Sequence, residues 1–208
     1  MTRRTVEEWA AHWDAKVDID DPVEVNGYCT GGVPIAIDSY RAAVVEPCLE
    51  RLELEPHHHV LEVGCGSGLL LDEIARRVER AVGTDLSEGL LRRYNGSAET
   101  FVCAAHELPF EPEEFDRILM YSVAHYFPEI GYFERVVVRL VSLLRKPGIL
   151  LIGDVPIGPQ PPDSPYRWYD RREIVGVVEP LGIPFSIAAQ SRLKRLINHR
   201  YDVILYKD

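Results

Sequence analysis

The chain has 208 residues, 46% of them hydrophobic and 27% charged; that fits one folded domain with its own core and excludes collagen-like, coiled-coil and disordered classes for the whole. Its 33 acidic and 23 basic side chains leave a formal charge of −10, a surface that repels polyphosphate and argues against a nucleic-acid partner. No apolar run approaches the roughly 20 residues of a membrane helix, and the N-terminus lacks the apolar stretch of a signal peptide. Cys29, Cys48, Cys65 and Cys103 carry neither a CxxC nor a metal spacing, so a reducing cytoplasm is the expected compartment and no metal is expected.

Thr5-x-x-Glu8 reads as a capping box that opens a short helix with Val6, Trp9 and Trp13 on one face. The tryptophan pair is read as a docking face. Asp18 to Pro34, with Gly27, Gly31, Gly32 and two prolines, is a loop. A second helix from about Ile37 to Leu52 carries Ile37, Tyr40, Val44 and Leu52 as its stripe, and Pro56 with His57, His58 and His59 closes the segment. That histidine run sits in a turn without a spaced acid or cysteine, so it is read as solvated rather than metal-binding.

From residue 60 the rhythm changes. Val60-Leu-Glu-Val is a short buried strand ending in glycines, followed by a helix from Leu69 to Arg77. Arg80 to Leu86 is a second strand, with Ser87 placed to cap a helix through Tyr94. Thr100 to Ala104 and Phe115 to Tyr121 are further strands, a helix runs from about Pro128 to Arg145, Lys146-Pro-Gly turns, and Ile149 to Gly153 is a fifth strand. Strands alternating with helices argue for a mostly parallel sheet covered on both faces. Pro156 to Pro165 holds five prolines and is a loop. Asp170-x-x-Glu173 is a second capping box, for a helix ending near Leu181-Gly182; Phe185 to Ala188 and Tyr201 to Tyr206 are two last strands. One domain over 1–208 is expected, divided into an N-terminal cap or lid (1–56), a core (57–155), and a substrate lid with C-terminal strands (156–208).

The chemistry is concentrated in Glu62-Val-Gly64-Cys65-Gly66-Ser-Gly68. Glycines at alternate positions between a strand and a helix let a ligand approach the backbone near a helix N-terminus. A dinucleotide site would prefer GxGxxG, but Leu69 stands where its third glycine would be. Asp85 ends the next strand, where an acid accepts hydrogen bonds from ribose hydroxyls.

Val60-Leu-Glu-Val-Gly-Cys-Gly-Ser-Gly, Gly83-Thr-Asp-Leu-Ser, Glu107-Leu-Pro-Phe, Phe115-Asp and Leu144-Arg-Lys-Pro-Gly-Ile-Leu-Leu-Ile occur in that order. Together they resemble the class I S-adenosylmethionine-dependent methyltransferases of the small-molecule type, over about half the chain. The resemblance implies an α/β fold: a Rossmann-like, doubly wound, seven-stranded, mostly parallel sheet with its last strand antiparallel, under an N-terminal helical cap. It implies S-adenosyl-L-methionine as cofactor and S-adenosyl-L-homocysteine as product. By the same likeness, the loop of Gly64, Cys65, Gly66 and Gly68 lies beside the methionine part, and Glu62 orients the loop or the bound ammonium through water. Asp85 holds both ribose hydroxyls, Leu86 packs on adenine, and Tyr121 is grouped with the cofactor contacts. The family often carries an Asp where Ala104 stands, so adenine contacts are expected instead from the Ala105 backbone or the His106 side chain. Cys65 is read as a small filler.

The acceptor site is expected from the N-terminal segment, the end of the fourth strand and the insert after the fifth. These hold Tyr28, Tyr40, Arg41, Tyr121, His125, Tyr126, Arg167, Trp168 and Tyr169; Tyr28, Tyr40, Tyr126 and Arg167 are the expected substrate contacts. His125 is the candidate general base, weighed against a histidine that only packs beneath the lid. The expected activity is O- or N-methylation of a small molecule by a monomer or homodimer. Two rivals stand beside it: a non-catalytic cofactor-binding module or pseudoenzyme subunit, and an NAD-dependent oxidoreductase.

Overall fold

Apolar strands alternating with amphipathic helices bury both sheet faces only when helices cover each side. The computed structural model, which describes residues 4–30, 33–190 and 199–208, does this with seven strands: β1 (His59–Val63), β2 (Arg80–Asp85), β3 (Glu99–Val102), β4 (Phe115–Tyr121), β5 (Leu144–Pro156), β6 (Phe185–Ala189) and β7 (Arg200–Lys207). Their order across the sheet is β3-β2-β1-β4-β5-β7-β6. Neighbours from β3 through β5 pair in parallel, and β7 runs antiparallel to both β5 and β6. The expected sheet with a reversed last strand is the observed one. Residues 1–3, Gly31 and Gly32 of the predicted loop, and 191–198 between the last two strands lie outside the described residues.

The chain lays β1, β2 and β3 outward to one side, then crosses back to add β4 and β5 on the other. At the β1–β4 boundary the loops leave in opposite directions and open a crevice at the carboxyl ends of the strands. The functional site sits there.

Both predicted capping boxes form. The Glu8 amide donates to Thr5 Oγ1 at 3.2 Å and the Thr5 amide to Glu8 Oε2 at 2.7 Å, opening α1 (Val6–Asp14); Asp170 and Glu173 do the same for α6 (Arg171–Val178). The helix α2, over 37–52, is not regular as its stripe predicts: a wide π-turn occupies Arg41–Val45 between Ile37–Tyr40 and Glu46–Leu52. Pro47 explains it, because a proline has no amide to donate and its ring pushes against the preceding turn. The helix α3 spans Leu69–Ala75. Helix α4 (Glu88–Leu91) is capped by Ser87 as expected but stops before Tyr94, where the amides of Arg93 and Tyr94 turn to the carbonyls three residues back, at Leu90 and Leu91, and the Arg93 guanidinium reaches the carbonyls of Val17 and Ile19. Helix α5 (Ile130–Leu143) buries Tyr132, Phe133, Val136, Val137, Leu140 and Leu143, the stripe of an amphipathic helix against a sheet. On the other face Leu52, Leu71 and Ile74 pack with Leu119 and Leu151.

One buried polar cluster ties the cap to the sheet. Arg51 of α2 reaches Asp202 of β7 at 2.6 Å, and Asp202 Oδ1 accepts from the Asp154 amide at 3.0 Å and from Gln190 Nε2 at 2.8 Å. Removing a buried carboxylate leaves three donors unpaired, so Asp202→Ala is expected to cost about 3 kcal/mol. Urea unfolding with an unchanged slope would show it; a loss below about 1 kcal/mol would contradict this role.

Candidate active site

The loops after β1, β2 and β4 open on one cavity of about 780 Å³, within the roughly 300–1,000 Å³ range of small-ligand sites. Its roof is the N-terminal segment, through Val6, Trp9, Trp13 and residues 26–29 and 33–40.

At one end stands the glycine loop. The amides of Gly64 and Cys65 both donate to the Thr84 carbonyl, at 2.7 and 3.0 Å, which draws the loop onto β2. Gly64 and Gly66 have φ of +76° and +57°, and a Cβ would strike Val123 at 2.2 Å and Asn26 Oδ1 at 2.1 Å respectively. Only glycine satisfies both the torsion and the space. The Gly66 amide donates to Asp85 Oδ2 at 2.8 Å, and the Ser87 amide to Asp85 Oδ1 at 2.9 Å. A carboxylate offers about four acceptor positions, so Asp85 retains acceptor capacity beyond its amide partners. Burial pushes its carboxyl pKa above the usual carboxylate value, offset by amide bonds from Ser87, Gly66 and Leu86.

Glu62 lies beneath the loop, 4% exposed, with Oε2 lacking a hydrogen-bond partner among the described residues. Burial, and then the neighbouring Asp85, push its carboxyl up to about 8. Burial also pushes the Cys65 thiol well up, which keeps it protonated and suits a filler rather than a nucleophile.

At the other end the chamber is aromatic. Tyr28, Tyr40, Tyr121, His125 and Tyr126 all line it, as the sequence predicts, and Tyr166 joins them. Rings of Tyr28 and Tyr40 lie 4.6 Å apart and those of His125 and Tyr126 4.1 Å apart. Burial raises the phenols of Tyr28, Tyr40, Tyr121 and Tyr126, so they remain protonated donors. Trp9 and Trp13 dock on Tyr126 at 4.7 and 5.8 Å. They form the expected docking face and, beyond that expectation, wall of the cavity.

Arg41, Trp168 and Tyr169 lie off the cavity lining, and so do three of the predicted contacts. Gly68 faces a smaller cleft with Tyr94 and Asp72. His106 turns away to Tyr132, its Nδ1 2.9 Å from the hydroxyl, whereas Leu86, Ala104 and Ala105 do line the cofactor end. Arg167 is spent on Glu173 at 2.8 Å and covers the Tyr169 ring; its amide, not its guanidinium, reaches the site, donating to the His125 carbonyl at 2.8 Å. Of the 156–208 segment, expected as substrate lid with C-terminal strands, Tyr166 and Arg200 line the cavity and residues 156–165 do not. The cover comes from the N-terminus.

Other residues were missed. Asn26 binds the glycine loop, Asp14 binds the loop after β2, and Ser122, Asp154 and Arg200 line the acceptor end. Ser122 and Asp154 end β4 and extend β5 with φ of +58° and +62°, and the Ser122 hydroxyl donates to Asp154 Oδ2. Arg200 Nη1 lies 3.6 Å from that carboxylate. The carboxyl ends of parallel strands are where such sheets hold ligands, a positional signal for Asp154; no local pattern tells that Asn26 folds back on residue 67. Outside the cavity, Glu55, His57 and His58 bring one ligand atom each within 4.8 Å. His58 Nδ1 accepts the Glu55 amide at 3.0 Å, which leaves the ring proton on Nε2 and suits a structural turn rather than a metal.

A family model described as a methyltransferase domain matches residues 61–152, and one described as protein-L-isoaspartate(D-aspartate) O-methyltransferase matches residues 10–100. The chain is similar to a probable non-canonical nonribosomal peptide synthetase of Salinispora arenicola, 37% identical over 46% of this chain and 1% of that protein. It is also similar to phthiotriol/phenolphthiotriol dimycocerosates methyltransferase 1 of Mycobacterium ulcerans, 36% identical over 46% of this chain and 37% of that protein. The chain thus spans far less than two thirds of these relatives. Its fold matches that of Haemonchus contortus phosphoethanolamine N-methyltransferase 1, solved with phosphoethanolamine and S-adenosylhomocysteine: TM-score 0.73, 12% identity, 98% of this chain and 50% of that one. By the match of its core and by its strand order, the chain belongs to the class I S-adenosylmethionine-dependent methyltransferases.

Proposed function

We propose that the chain transfers the methyl group of S-adenosylmethionine to a small-molecule acceptor held under the N-terminal segment. The observation that carries this is a single cavity with two chemically different ends. The glycine-loop end has two carboxylates, Glu62 and Asp85, while Arg200 is the one Arg or Lys among the described lining residues and belongs to the other end. An acidic end without a countercharge fits a cationic ligand, and the unpartnered Glu62 Oε2 fits its ammonium. Asp85, with acceptor capacity left beyond its amide partners, fits a ribose hydroxyl pair; Leu86, Ala104 and Ala105 offer an apolar slot for adenine.

The bound cofactor supplies an electrophilic methyl on a sulfonium centre. The chain's own residues then have to align the acceptor and keep water out. The tyrosine and tryptophan walls do both for a modest ligand, and the net charge of −10 favours a small acceptor over nucleic acid. His125 is the proposed proton acceptor where the nucleophile must lose a proton; Asp154, held by Ser122 and Arg200, is the carboxylate nearest in role.

Calorimetry with S-adenosylmethionine and S-adenosylhomocysteine tests the cofactor half, and a methylation screen over small phenols and amines tests the acceptor half. Asp85→Ala is expected to weaken either cofactor at least about 100-fold, since it loses two charge-assisted hydrogen bonds to ligand. A wild-type chain that binds neither would overturn the proposal.

Glu62 gives a second expectation. Its folded value near 8 lies above its unfolded value near 4.5, so the folded chain holds the proton more tightly, and stability falls as pH rises through that window. An arriving ammonium reverses the preference and expels the proton. Glu62→Gln should therefore raise the ligand-free Tm, by about 3 °C or more at pH 8.5 and by less at pH 6. It should also weaken S-adenosylhomocysteine and abolish the proton release that wild type shows near pH 7. Calorimetry in buffers of different ionisation enthalpy reads that release; equal release by both proteins would refute the assignment.

A further inference from the structure

Three loops frame the cavity, after β1, β2 and β4, and each presents a serine: Ser67 and Ser87 at the glycine-loop end and Ser122 at the aromatic end. Each serine is taken by a polar side chain of one short stretch of the N-terminal segment. Asp14 Oδ1 accepts the Ser87 hydroxyl at 2.6 Å and the Gly89 amide at 3.1 Å. Asn26 Oδ1 accepts the Ser67 amide at 2.9 Å, and its Nδ2 donates to Ser67 Oγ at 2.6 Å. Tyr28 hydrogen-bonds to Ser122.

Asp14 does not suit its own local structure, and Asn26, whose Nδ2 also donates to the Pro22 carbonyl at 2.7 Å in its own turn, reaches beyond it. Asp14 is the last residue of α1, where the helix dipole disfavours a negative charge, and its reward lies across the cavity at the start of α4. Asn26 occupies the space beside Gly66, so nothing passes between roof and glycine loop while its bonds hold. Beneath this cover Glu62, Cys65 and Tyr121 are 4–6% exposed. The roof is closed.

We infer that residues 14–28 form a lid, held shut by Asp14, Asn26 and Tyr28 on serines of the three cavity loops, which must open for the methyl donor to enter and for the demethylated product to leave. The inference rests on the cofactor reading above. A lid that is shut in the ligand-free chain limits association as well as dissociation. Weakening the latches must therefore speed both, and change the equilibrium constant less than either rate. A side chain that merely stabilises the bound state would alter dissociation alone.

Stopped-flow tryptophan fluorescence with S-adenosylhomocysteine reads both rates, because Trp9 and Trp13 sit on the roof. Asp14→Ala and Asn26→Ala should each raise the association and dissociation rates about two- to tenfold, as expected for one or two lost hydrogen bonds. The converse variant locks the lid. A Cβ at Gly89 would lie 3.7 Å from the Val17 Cβ, within the roughly 3.5–4.5 Å of a disulfide. Val17→Cys/Gly89→Cys, oxidised with copper phenanthroline, should lose at least about tenfold in both rates and recover on reduction; wild type under the same oxidant controls for Cys29, Cys48, Cys65 and Cys103. Association rates unchanged in every variant, with S-adenosylhomocysteine still bound at equilibrium, would overturn the lid alone. A wild-type chain that does not bind S-adenosylhomocysteine would overturn the cofactor reading and the lid with it.

Discussion

The site depends on one short hydrogen bond, from the Gly66 amide to Asp85 Oδ2 at 2.8 Å. It joins the loop after β1 to the end of β2, and it is possible only because Gly66 takes a positive φ without a Cβ to collide with Asn26. The same carboxylate then reaches the Ser87 amide, and Ser87 caps α4 and receives Asp14 from the roof. Cofactor loop, second strand, following helix and lid are thus linked through one buried acid. A glycine loop without Asp85 would lose its register on β2, and the roof would lose the loop on which one of its latches closes.

Such a site is built against the stability of the ligand-free chain. Glu62 and Asp85 are two carboxylates in neighbouring, water-poor positions, and burial raises both above the ordinary range. Opposite charge from the protein would relieve this, yet the cavity has no Arg or Lys at this end among the described residues. The missing countercharge is what the proposed cationic ligand would supply. The core can bear the cost because both sheet faces are fully packed, by Phe133, Leu140 and Leu143 on one side and Leu52, Leu71 and Ile74 on the other.

How far the sequence could be read follows from which interactions are local. Apolar strand runs and glycines at fixed offsets are local signals, and they located β1, β2, β4 and β5, the loop and Asp85. The π-turn in α2 was legible too, since Pro47 forces it, but the apolar stripe hid it. The sequence predicts a cover both from the N-terminal segment (1–56), which carries an apolar helix face and a glycine-rich loop, and from 156–208; what it does not mark is the pairing that ties Asp14 and Asn26 to residues more than 40 positions away. Arg167 looked like a free cation near the site, yet Glu173, at the end of its own capping box, takes it. Long-range pairing of polar side chains leaves no periodic trace.

The acceptor end is set by strain rather than by charge. Ser122 and Asp154 both adopt left-handed backbone at the ends of adjacent strands, a conformation that costs a non-glycine residue about 1 kcal/mol or more. Two such residues side by side persist because their side chains satisfy each other and Arg200 balances the carboxylate. The turn they make ends the parallel pairing, lifts the chain over the crevice and points a hydroxyl and a neutralised acid at the tyrosine walls. The cavity is therefore acidic where the glycine loop lies and near neutral and aromatic where β4 and β5 end. Two ligands of different charge entering one cavity would be sorted by that gradient, the cation to Glu62 and the acceptor to the rings, with their reacting atoms meeting near Tyr121 at the carboxyl end of β4.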